Sequence, residues 1–309
     1  MQRHNPPSLG CQDLLGTLRK SLDGLPPQQQ RVARYVLAHH DRAAFLSTTE
    51  LARAVGVSQP TVVRFCQKVG FQGYPQFGKA LQNLIRHELT TKERFNLSLE
   101  EFRLPSSSYP QSVLVKEMQS LRDLAENFPL EAFDKAVHEI AVAEKVFVVG
   151  MRGSSGLARS FSYFLQKVKR PVRALIEGGT SECDVILDMG EKDVTVAMAF
   201  PRYPRETIEV AHLIHRRGGR IIGITDGEWS PLYPLASTSL IVNVSFTTLF
   251  DSYSAVLCLL NMLVTEVGRA NSEESRRLIE DYETLAREIR VFHRGQDTQR
   301  RQQQEEKRS

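Results

Sequence analysis

The sequence predicts two domains of different fold class: an all-α N-terminal domain, then an α/β domain with a five-stranded parallel sheet flanked by helices. The 309 residues are enough for two domains. Up to about residue 100 the apolar residues recur at helical 3–4 spacing, whereas from residue 144 short apolar runs alternate with amphipathic segments. Residues 1–104 carry 14 Lys/Arg against 8 Asp/Glu, and residues 105–309 carry 26 against 28. This basic first third favours a polyanionic partner.

Two helices are predicted at the start of the chain, after a loose arm. The first covers Leu14–Leu25 and is ended by the prolines that follow it. The second covers Gln28–His40, where one face carries Val32, Tyr35 and Val36, the pattern of an amphipathic helix.

The next stretch predicts a helix, a tight turn and a second helix. Thr48 or Ser47 can cap the first helix, and Gly56 supplies the turn. Ser58 is expected to cap the second helix, whose core face is Val62, Phe65 and Val69. The polar side chains left outside suit base edges and phosphates, and the candidate DNA-binding residues are Thr48, Ser58, Gln59, Thr61, Arg64 and Lys68. The alternative is an ordinary helical hairpin with a solvated polar face.

Strands and helices alternate in the second part of the chain, after two predicted helices at Ser112–Asn127 and Leu130–Ala143. The predicted strands are Val146–Val149, Val172–Ile176, Asp193–Phe200, Arg220–Thr225 and Leu240–Val244. Their alternation with helices favours a parallel sheet covered on both faces. A long apolar helical region at Phe246–Val267 and an amphipathic helix at Glu273–His293 complete the domain.

Ligands of such sheets bind beyond the carboxyl ends of the strands, which predicts an anion site. The first strand runs into a Gly/Ser-rich turn and a helix, so backbone N–H groups can face an anion at the helix N-terminus. Three loops meet at this edge and supply the candidate ligand residues Arg152, Ser154, Ser155, Arg202, Tyr203, Arg205, Thr207 and Asp226. In the alternative, Arg202 and Arg205 are surface residues paired with Glu206 or Glu209, and the serines only cap the helix.

Several classes of protein are excluded by the same sequence. The glycines at 150, 153 and 156 have the wrong spacing for a dinucleotide fingerprint, and no phosphate-binding P-loop motif occurs. Four scattered cysteines without a CxxC pair predict neither a zinc site nor a disulfide framework, and no cofactor is expected. Because the sequence has no long apolar span and no secretion signal, we expect a cytoplasmic protein that does not contact a membrane.

The first 80 residues resemble the helix-turn-helix domain of the RpiR family of bacterial transcriptional regulators. That family carries V-S-x-x-T-V-x-R-F followed by G-F-x-G-Y. The matching residues here are Val57-Ser58, Thr61-Val62, Arg64-Phe65, Gly70-Phe71 and Gly73-Tyr74. The resemblance implies that the second helix of this window binds operator DNA.

The region from about Val113 to Val267 resembles the sugar isomerase (SIS) domain, a phosphosugar-binding fold that usually accompanies that DNA-binding domain. The likeness lies in the first strand and its loop, the third strand, Arg205-Glu206-Thr207 and the Gly223–Leu232 stretch. In the family, hydroxyls of an S-x-S-G-x-T loop hold the phosphate. Here that loop is Phe200–Thr207, and only Thr207 of the trio is kept. The two arginines of this loop leave the effector open between a phosphosugar and a carboxylate.

Together these features predict a transcriptional regulator that is not an enzyme, whose SIS-like domain senses a small anionic metabolite and changes operator binding. The expected partners are double-stranded operator DNA, the effector and further copies of the chain, as a homodimer or a dimer of dimers. The expected domains are 12–90, a linker at 91–110, an effector-binding and dimerisation domain at 111–293, and a disordered tail at 294–309. The alternative is a phosphosugar isomerase or another SIS-domain enzyme, although the possible acid–base residues Glu177, Glu182, Asp184, His212 and His215 form no convincing constellation.

Overall fold

The computed structural model describes residues 14–44, 46–88, 91–92, 95, 109–179, 181–244 and 250–292. The predicted arm at residues 1–10 and the predicted tail at 294–309 lie outside these residues. The N-terminal helices are α1 (Leu14–Ser21), α2 (Pro27–Ala38), α3 (His40–Ala43), α4 (Thr48–Val55), α5 (Gln59–Lys68) and α6 (Tyr74–Glu88). A 3-10 turn at Leu22–Gly24 ends the first of them.

In the part of the chain that the structure describes, the core of these helices consists of residues between Leu14 and Leu84. Phe77 lies at its centre and contacts Phe65 and Phe71 edge to face, with ring centroids 5.4 and 5.3 Å apart. The helical N-terminal domain predicted from the apolar spacing is confirmed. Helix α6 begins at Tyr74, whose side chain is buried in this core.

Helix α4 begins with a capping box. The Glu50 amide donates to the Ser47 hydroxyl over 3.3 Å, and the Glu50 carboxylate accepts from the Ser47 amide over 2.7 Å. The hydrogen bond from Ser47 also lowers the pKa of the Glu50 carboxyl. Gly56 ends the helix in the left-handed region with φ 71°, where a residue with a Cβ would be strained. This turn sets the angle between α4 and α5.

The second part of the chain forms a five-stranded sheet in which every neighbouring pair is parallel, as the sequence predicts. Its strands are β1 (Val146–Val149), β2 (Val172–Leu175), β3 (Val194–Met198), β4 (Arg220–Thr225) and β5 (Thr238–Ile241). The spatial order β2-β1-β3-β4-β5 is doubly wound and reverses between β1 and β3. Such reversals open a crevice at the carboxyl ends of the strands.

Helices cover both faces of the sheet. They are α7 (Tyr109–Glu126), α8 (Leu130–Val142), α9 (Ser155–Leu165), α10 (Ser181–Leu187), α11 (Arg205–Arg216), α12 (Ser254–Ala270) and α13 (Ser272–Glu288). One face packs on α7, α8, α9 and α12, and the other on α10 and α11. Among the described residues, no helix is long and apolar enough to cross a membrane.

Several boundaries differ from the sequence-based expectation, and three of them bear on the site. Strand β5 begins at Thr238, two residues earlier, since Thr238 and Ser239 pair with Ile222 and Gly223 of β4. Helix α12 begins only at Ser254, and the predicted helical residues 246–249 fall outside the described set. Helix α7 begins at Tyr109, inside the predicted linker.

Candidate functional sites

Helix α5 has one polar exposed face and one apolar buried face. Val62 and Phe65 are fully buried, as predicted. On the opposite side Gln59, Arg64 and Lys68 are exposed, and Thr61 is half-buried. The side chains proposed to contact DNA therefore point into solvent from a helix that the core holds in place.

The residues at the start of α5 bond to each other and to α4. The Ser58 and Thr61 hydroxyls lie 2.9 Å apart, and the Gln59 amide donates to the Thr49 hydroxyl over 2.7 Å. Ser58 occupies the N-cap position, but its side chain makes no capping hydrogen bond to the helix backbone, so its predicted capping role is wrong. Thr48, the first residue of α4, is half-buried beside this start.

Two long-range contacts fix the turn and the neighbouring loop. The Arg31 guanidinium of α2 donates to the Val55 carbonyl over 2.8 Å, at the end of α4. The Tyr74 hydroxyl donates to the carbonyl oxygens of Leu46 and Ala43. Burial raises the pKa of this phenol to about 12. The helix-turn-helix unit is thus held by bonds that span about 24 to 31 residues of sequence.

A cavity of about 440 Å³ opens beyond the carboxyl ends of β1 and β3, where the strand order reverses. Three of the predicted ligand residues, Arg152, Ser154 and Arg202, line it together. The other described residues of its wall are Thr91, Gly153, Phe200, Pro201, Pro204, Phe250, Asp251 and Tyr253. Two guanidinium groups on one small cavity suit an anion that each can bind through paired N–H groups.

The loop after β1 is shaped by close packing. Gly150 has no room for a side chain, because a Cβ there would lie 3.0 Å from the Ala158 Cβ and 3.1 Å from the Ser154 carbonyl oxygen. Arg152 opens a 3-10 turn with φ 53°, an unusual conformation for a residue other than glycine. Such outliers concentrate at ligand sites. Here the turn leads directly into the N-terminus of α9.

Arg202 reaches the segment that follows the helix-turn-helix unit. Its guanidinium Nη2 lies 3.4 Å from the Thr91 hydroxyl, and both residues line the cavity. Arg152 differs, since its side chain is exposed and makes no hydrogen bond or ion pair that involves the described residues.

Five predicted ligand residues do not line this cavity, and the structure gives each of them another partner. Thr207 is fully buried, and its hydroxyl accepts a hydrogen bond from the Met151 amide over 3.1 Å. The Ser155 hydroxyl donates to the Arg152 carbonyl over 2.7 Å at the start of α9. Both hydroxyls hold the loop after β1 in shape.

Tyr203 and Asp226, the next two, bind each other. The Tyr203 hydroxyl donates to Asp226 Oδ1 over 2.8 Å, and the Trp229 indole donates to Asp226 Oδ2 over 3.1 Å. Asp226 is almost completely buried. This carboxylate therefore fixes the loop after β3, which carries Arg202, to the loop after β4.

Arg205, the fifth, pairs with Glu209 one helical turn further along α11. Its Nε lies 2.6 Å from Glu209 Oε1, and both side chains are exposed. The hydrogen bond to Glu209 raises the pKa of the Arg205 guanidinium. This is the surface ion pair that the sequence analysis gave as the alternative for Arg205.

Sequence reasoning missed four described residues of the cavity wall: Thr91, Phe250, Asp251 and Tyr253. The last three lie between β5 and α12, in a stretch expected to belong to a long apolar helix. One signal could have found them, because the loop after β5 also leaves the carboxyl edge of the sheet. The Tyr253 hydroxyl would lie 3.2 Å from a Cβ at Gly153, so the two loops touch.

Comparison with known families agrees with both halves of this description. Residues 12–88 match the helix-turn-helix domain of the rpiR family, and residues 139–266 match the SIS domain. The chain therefore has the architecture of an RpiR-family transcriptional regulator, with the helix-turn-helix domain first and the SIS domain second.

Three relatives illustrate the likeness. The HTH-type transcriptional regulator HexR of Pseudomonas aeruginosa is 25% identical over 219 residues, which is 69% of this chain and 73% of HexR. The sugar isomerase domain of an RpiR transcription factor from Sphaerobacter thermophilus superimposes with a TM-score of 0.55 at 22% identity, over 57% of this chain and 99% of that one. The NanR protein of Vibrio vulnificus, solved with ManNAc-6P, gives a TM-score of 0.54 at 21% identity, over 91% of this chain and all of NanR.

Proposed function

We propose that this protein is a DNA-binding transcriptional regulator whose affinity for its operator is set by a small anionic metabolite. The observation that carries the proposal is that one chain presents an exposed polar face on α5 and a separate arginine-lined cavity at the β1/β3 crevice. A solvent-facing helix of this kind fits the major groove. Since such a regulator acts on the chromosome, its place is the bacterial cytoplasm.

The effector is proposed to be a phosphosugar, with a carboxylate metabolite as the second candidate. The volume of about 440 Å³ is of the size that small-molecule pockets have. Arg152 and Arg202 supply the positive charge, and the α9 N-terminus supplies backbone N–H groups. NanR, a relative of the same fold, was solved with a phosphosugar.

Coupling between the two sites is proposed to pass through Thr91. This residue follows the helix-turn-helix unit and lies 3.4 Å from the Arg202 guanidinium in the cavity wall. An anion that bonds to Arg202 competes with Thr91 for the same donors. The effector would then favour a different position of Thr91, which follows α6 in the chain, with a coupling free energy of about 1–3 kcal/mol.

Operator recognition is proposed to need two copies of the chain. One helix-turn-helix reads only a half-site, and regulators of this kind bind two half-sites spaced by about one helical turn of DNA. The SIS domain is the proposed dimerisation domain.

The proposal excludes catalysis as the main function. Among the described residues of the cavity wall, Asp251 is the one carboxylate and there is no histidine. Of the possible acid–base residues, Glu177 is exposed and lies 3.9 Å from Arg159, and the His215 ring bonds to the Leu235 carbonyl. Isomerisation of a sugar needs a positioned acid or base at the reacting carbons. Steady turnover of a phosphosugar by the purified protein would contradict this part of the proposal.

The experiment begins with selection of bound duplexes from a random DNA library by the full-length protein, followed by fluorescence anisotropy on the selected duplex. We expect Arg64→Ala to weaken binding by about 5- to 150-fold, since one specific base contact is worth about 1–3 kcal/mol. The matched control is Arg276→Ala, an exposed arginine of α13. Titration with phosphosugars and organic acids should then change operator affinity. If the Arg64→Ala variant and the native protein bind the selected duplex with equal affinity, α5 is not the recognition helix.

A further inference from the structure

Ser252 lies between two residues of the effector cavity, and its side chain bonds to α7. Its chain neighbours Asp251 and Tyr253 line the cavity, whereas its own hydroxyl donates to Glu117 Oε2 over 2.6 Å. Oxygen atoms this close are typical of a hydroxyl that bonds to an ionised carboxylate, which is one of the stronger hydrogen bonds in proteins. The contact joins residues 135 positions apart in the sequence.

The segment 251–253 also packs against the two loops that carry the cavity arginines. The rings of Tyr253 and Phe200 have their centroids 5.4 Å apart, and Phe200 lies at the start of the loop after β3. The Tyr253 hydroxyl would lie 3.2 Å from a Cβ at Gly153, in the loop after β1. A ligand that displaces either loop therefore displaces this segment.

Helix α7 is the first helix of the sheet domain, so the chain that comes from the helix-turn-helix unit enters the domain through it. Only Ser120 and Leu124 of its 18 residues are buried. Glu117 precedes them by three and seven residues, which places it on the same inner face. Because few packing contacts hold the helix, a small change in its position costs little free energy.

We propose that the hydrogen bond from Ser252 to Glu117 transmits the effect of ligand binding from the cavity to α7. Both are positioning residues, since neither is among the described residues of the cavity wall. The inference rests on the proposed function and adds a second route of coupling to it. Thr91 touches the cavity residue Arg202 before α7 begins, and Glu117 bonds to the 251–253 segment from within α7.

A purely structural role for Ser252 would be to hold the start of α12. The Ser254 amide, at the first residue of that helix, does point at the Ser252 hydroxyl oxygen, but over 3.4 Å. A hydrogen bond of that length is weak. The hydroxyl has one proton to donate, and the 2.6 Å distance places it on Glu117. The stronger bond of this side chain is therefore the one to α7.

The first test follows hydrogen exchange of the α7 amides by mass spectrometry in the full-length protein, with and without inorganic phosphate and without DNA. Thermal shift measures phosphate binding in parallel, and Arg202→Gln is the variant that should lose it. We expect phosphate to change exchange across residues 113–121 at least about fivefold in the native protein, the lower end of typical coupling. Ser252→Ala should still bind phosphate, with its α7 exchange changed by less than about 1.5-fold.

The outcomes separate this inference from the proposed function. If phosphate binds to the native protein but leaves α7 exchange unchanged, the route through Ser252 is wrong and the anion cavity stands. If phosphate does not bind, both are overturned. A phosphate response of α7 that persists in Ser252→Ala also overturns the route.

Further variants distinguish the contact from general damage to the fold. Ser252→Thr keeps the hydroxyl and should keep the response, whereas Glu117→Ala should lose it as Ser252→Ala does. The matched control is Glu126→Ala, an exposed residue at the end of the same helix, which should respond like the native protein. Circular dichroism shows whether each variant folds. If Ser252→Ala does not fold, Glu117→Ala decides, and a response that survives in it overturns the proposal.

Discussion

The backbone amide of Met151 donates a hydrogen bond to the hydroxyl oxygen of Thr207, with 3.1 Å between the two atoms. Both residues are buried. Met151 follows β1 and Thr207 lies in the first turn of α11, so this bond joins the two loops that carry Arg152 and Arg202. It sets the separation of the two cationic side chains across the crevice.

Thr207→Val is expected to destabilise the protein by about 1–3 kcal/mol, because it leaves the buried Met151 N–H without an acceptor. The cavity loops should also separate, so affinity for the effector falls. Thermal unfolding followed by Trp229 fluorescence checks the first effect, and a ligand thermal-shift titration checks the second. Thr284→Val on α13 is the control, since its hydroxyl bonds at the surface to the Glu280 carbonyl. Equal effects of the two substitutions would count against the role of Thr207.

Tyr203→Phe is expected to lower stability by about 1 kcal/mol, the net value of one hydrogen bond, while Asp226 keeps its bond to Trp229. The loop that carries Arg202 then loses one anchor, and effector affinity should fall several-fold without loss of fold. Isothermal titration calorimetry measures the affinity. Tyr233→Phe serves as the control, because among the described residues the Tyr233 hydroxyl has no hydrogen-bond partner. A fall in effector affinity that occurs only in Tyr233→Phe would refute the anchoring role of Tyr203.

Arg202→Gln and Arg205→Gln separate the two arginines of the loop after β3. Arg202 lines the cavity, whereas Arg205 is paired with Glu209 outside it. A lost charge-assisted hydrogen bond is worth about 1.5–3 kcal/mol, so Arg202→Gln should weaken effector binding about 10- to 100-fold. Arg205→Gln should change it less than about twofold, as exposed ion pairs contribute little. Isothermal titration calorimetry measures the effector affinity of both variants. A larger loss of affinity in Arg205→Gln than in Arg202→Gln would mean that the anion binds to Arg205.

Lys68→Ala tests the phosphate contacts of α5. Lys68 is exposed at the C-terminal end of that helix, one turn beyond Arg64. If Lys68 neutralises one phosphate per copy, the slope of log affinity against log salt should become shallower by about 0.9 for each copy bound. Anisotropy titrations between 50 and 200 mM salt measure this slope. If the slope of log affinity against log salt is unchanged in the variant, Lys68 does not contact a DNA phosphate.

Alkaline pH is expected to destabilise the helix-turn-helix domain before the SIS domain. Burial raises the pKa of the Tyr74 phenol to about 12, whereas its unfolded value is 10.0. The folded state therefore keeps a proton that the unfolded state has lost, and stability present below pH 10 falls as pH rises toward 12, by up to about 1.4 kcal/mol per pH unit. The buried Cys66 thiol, also raised to about 12, adds to this loss.

Tyr74→Phe is the variant that tests this pH dependence. It should be less stable at neutral pH, because two carbonyl oxygens lose a donor, yet its stability should fall less steeply above pH 10. Urea unfolding is followed by far-ultraviolet circular dichroism. Fluorescence of Trp229, the single tryptophan, reports the second domain separately. If the free energy of unfolding falls equally steeply with pH above pH 10 in the variant and the native protein, the Tyr74 phenol is not the cause of the alkaline loss of stability.

The number of strands and their parallel pairing could be predicted because the two central strands, β1 and β3, are short apolar runs that are buried at every position. Val194–Met198 is buried at every position, which leaves no polar alternation to confuse it with another element. Helix α5 could be predicted for a related reason, since its periodicity separates the buried Val62 and Phe65 from the exposed Arg64.

The partners of individual polar side chains could not be predicted in this way. Thr207 and Asp226 were assigned to the ligand because loop position brings them to the carboxyl edge of the sheet. Local sequence does not say whether a hydroxyl or carboxylate at that edge faces the ligand or a neighbouring loop. Asp251 was missed for the opposite reason, because the apolar residues on both sides of it gave the pattern of a helix.

Among the residues that the structure describes, every member of the core of the N-terminal helices lies between Leu14 and Leu84, and none belongs to the sheet domain. The N-terminal helical domain therefore has a hydrophobic core of its own. The residues before 91 could be replaced by the corresponding domain of another such regulator. We expect the chimaera to bind a new set of promoters while it keeps the same effector-binding domain.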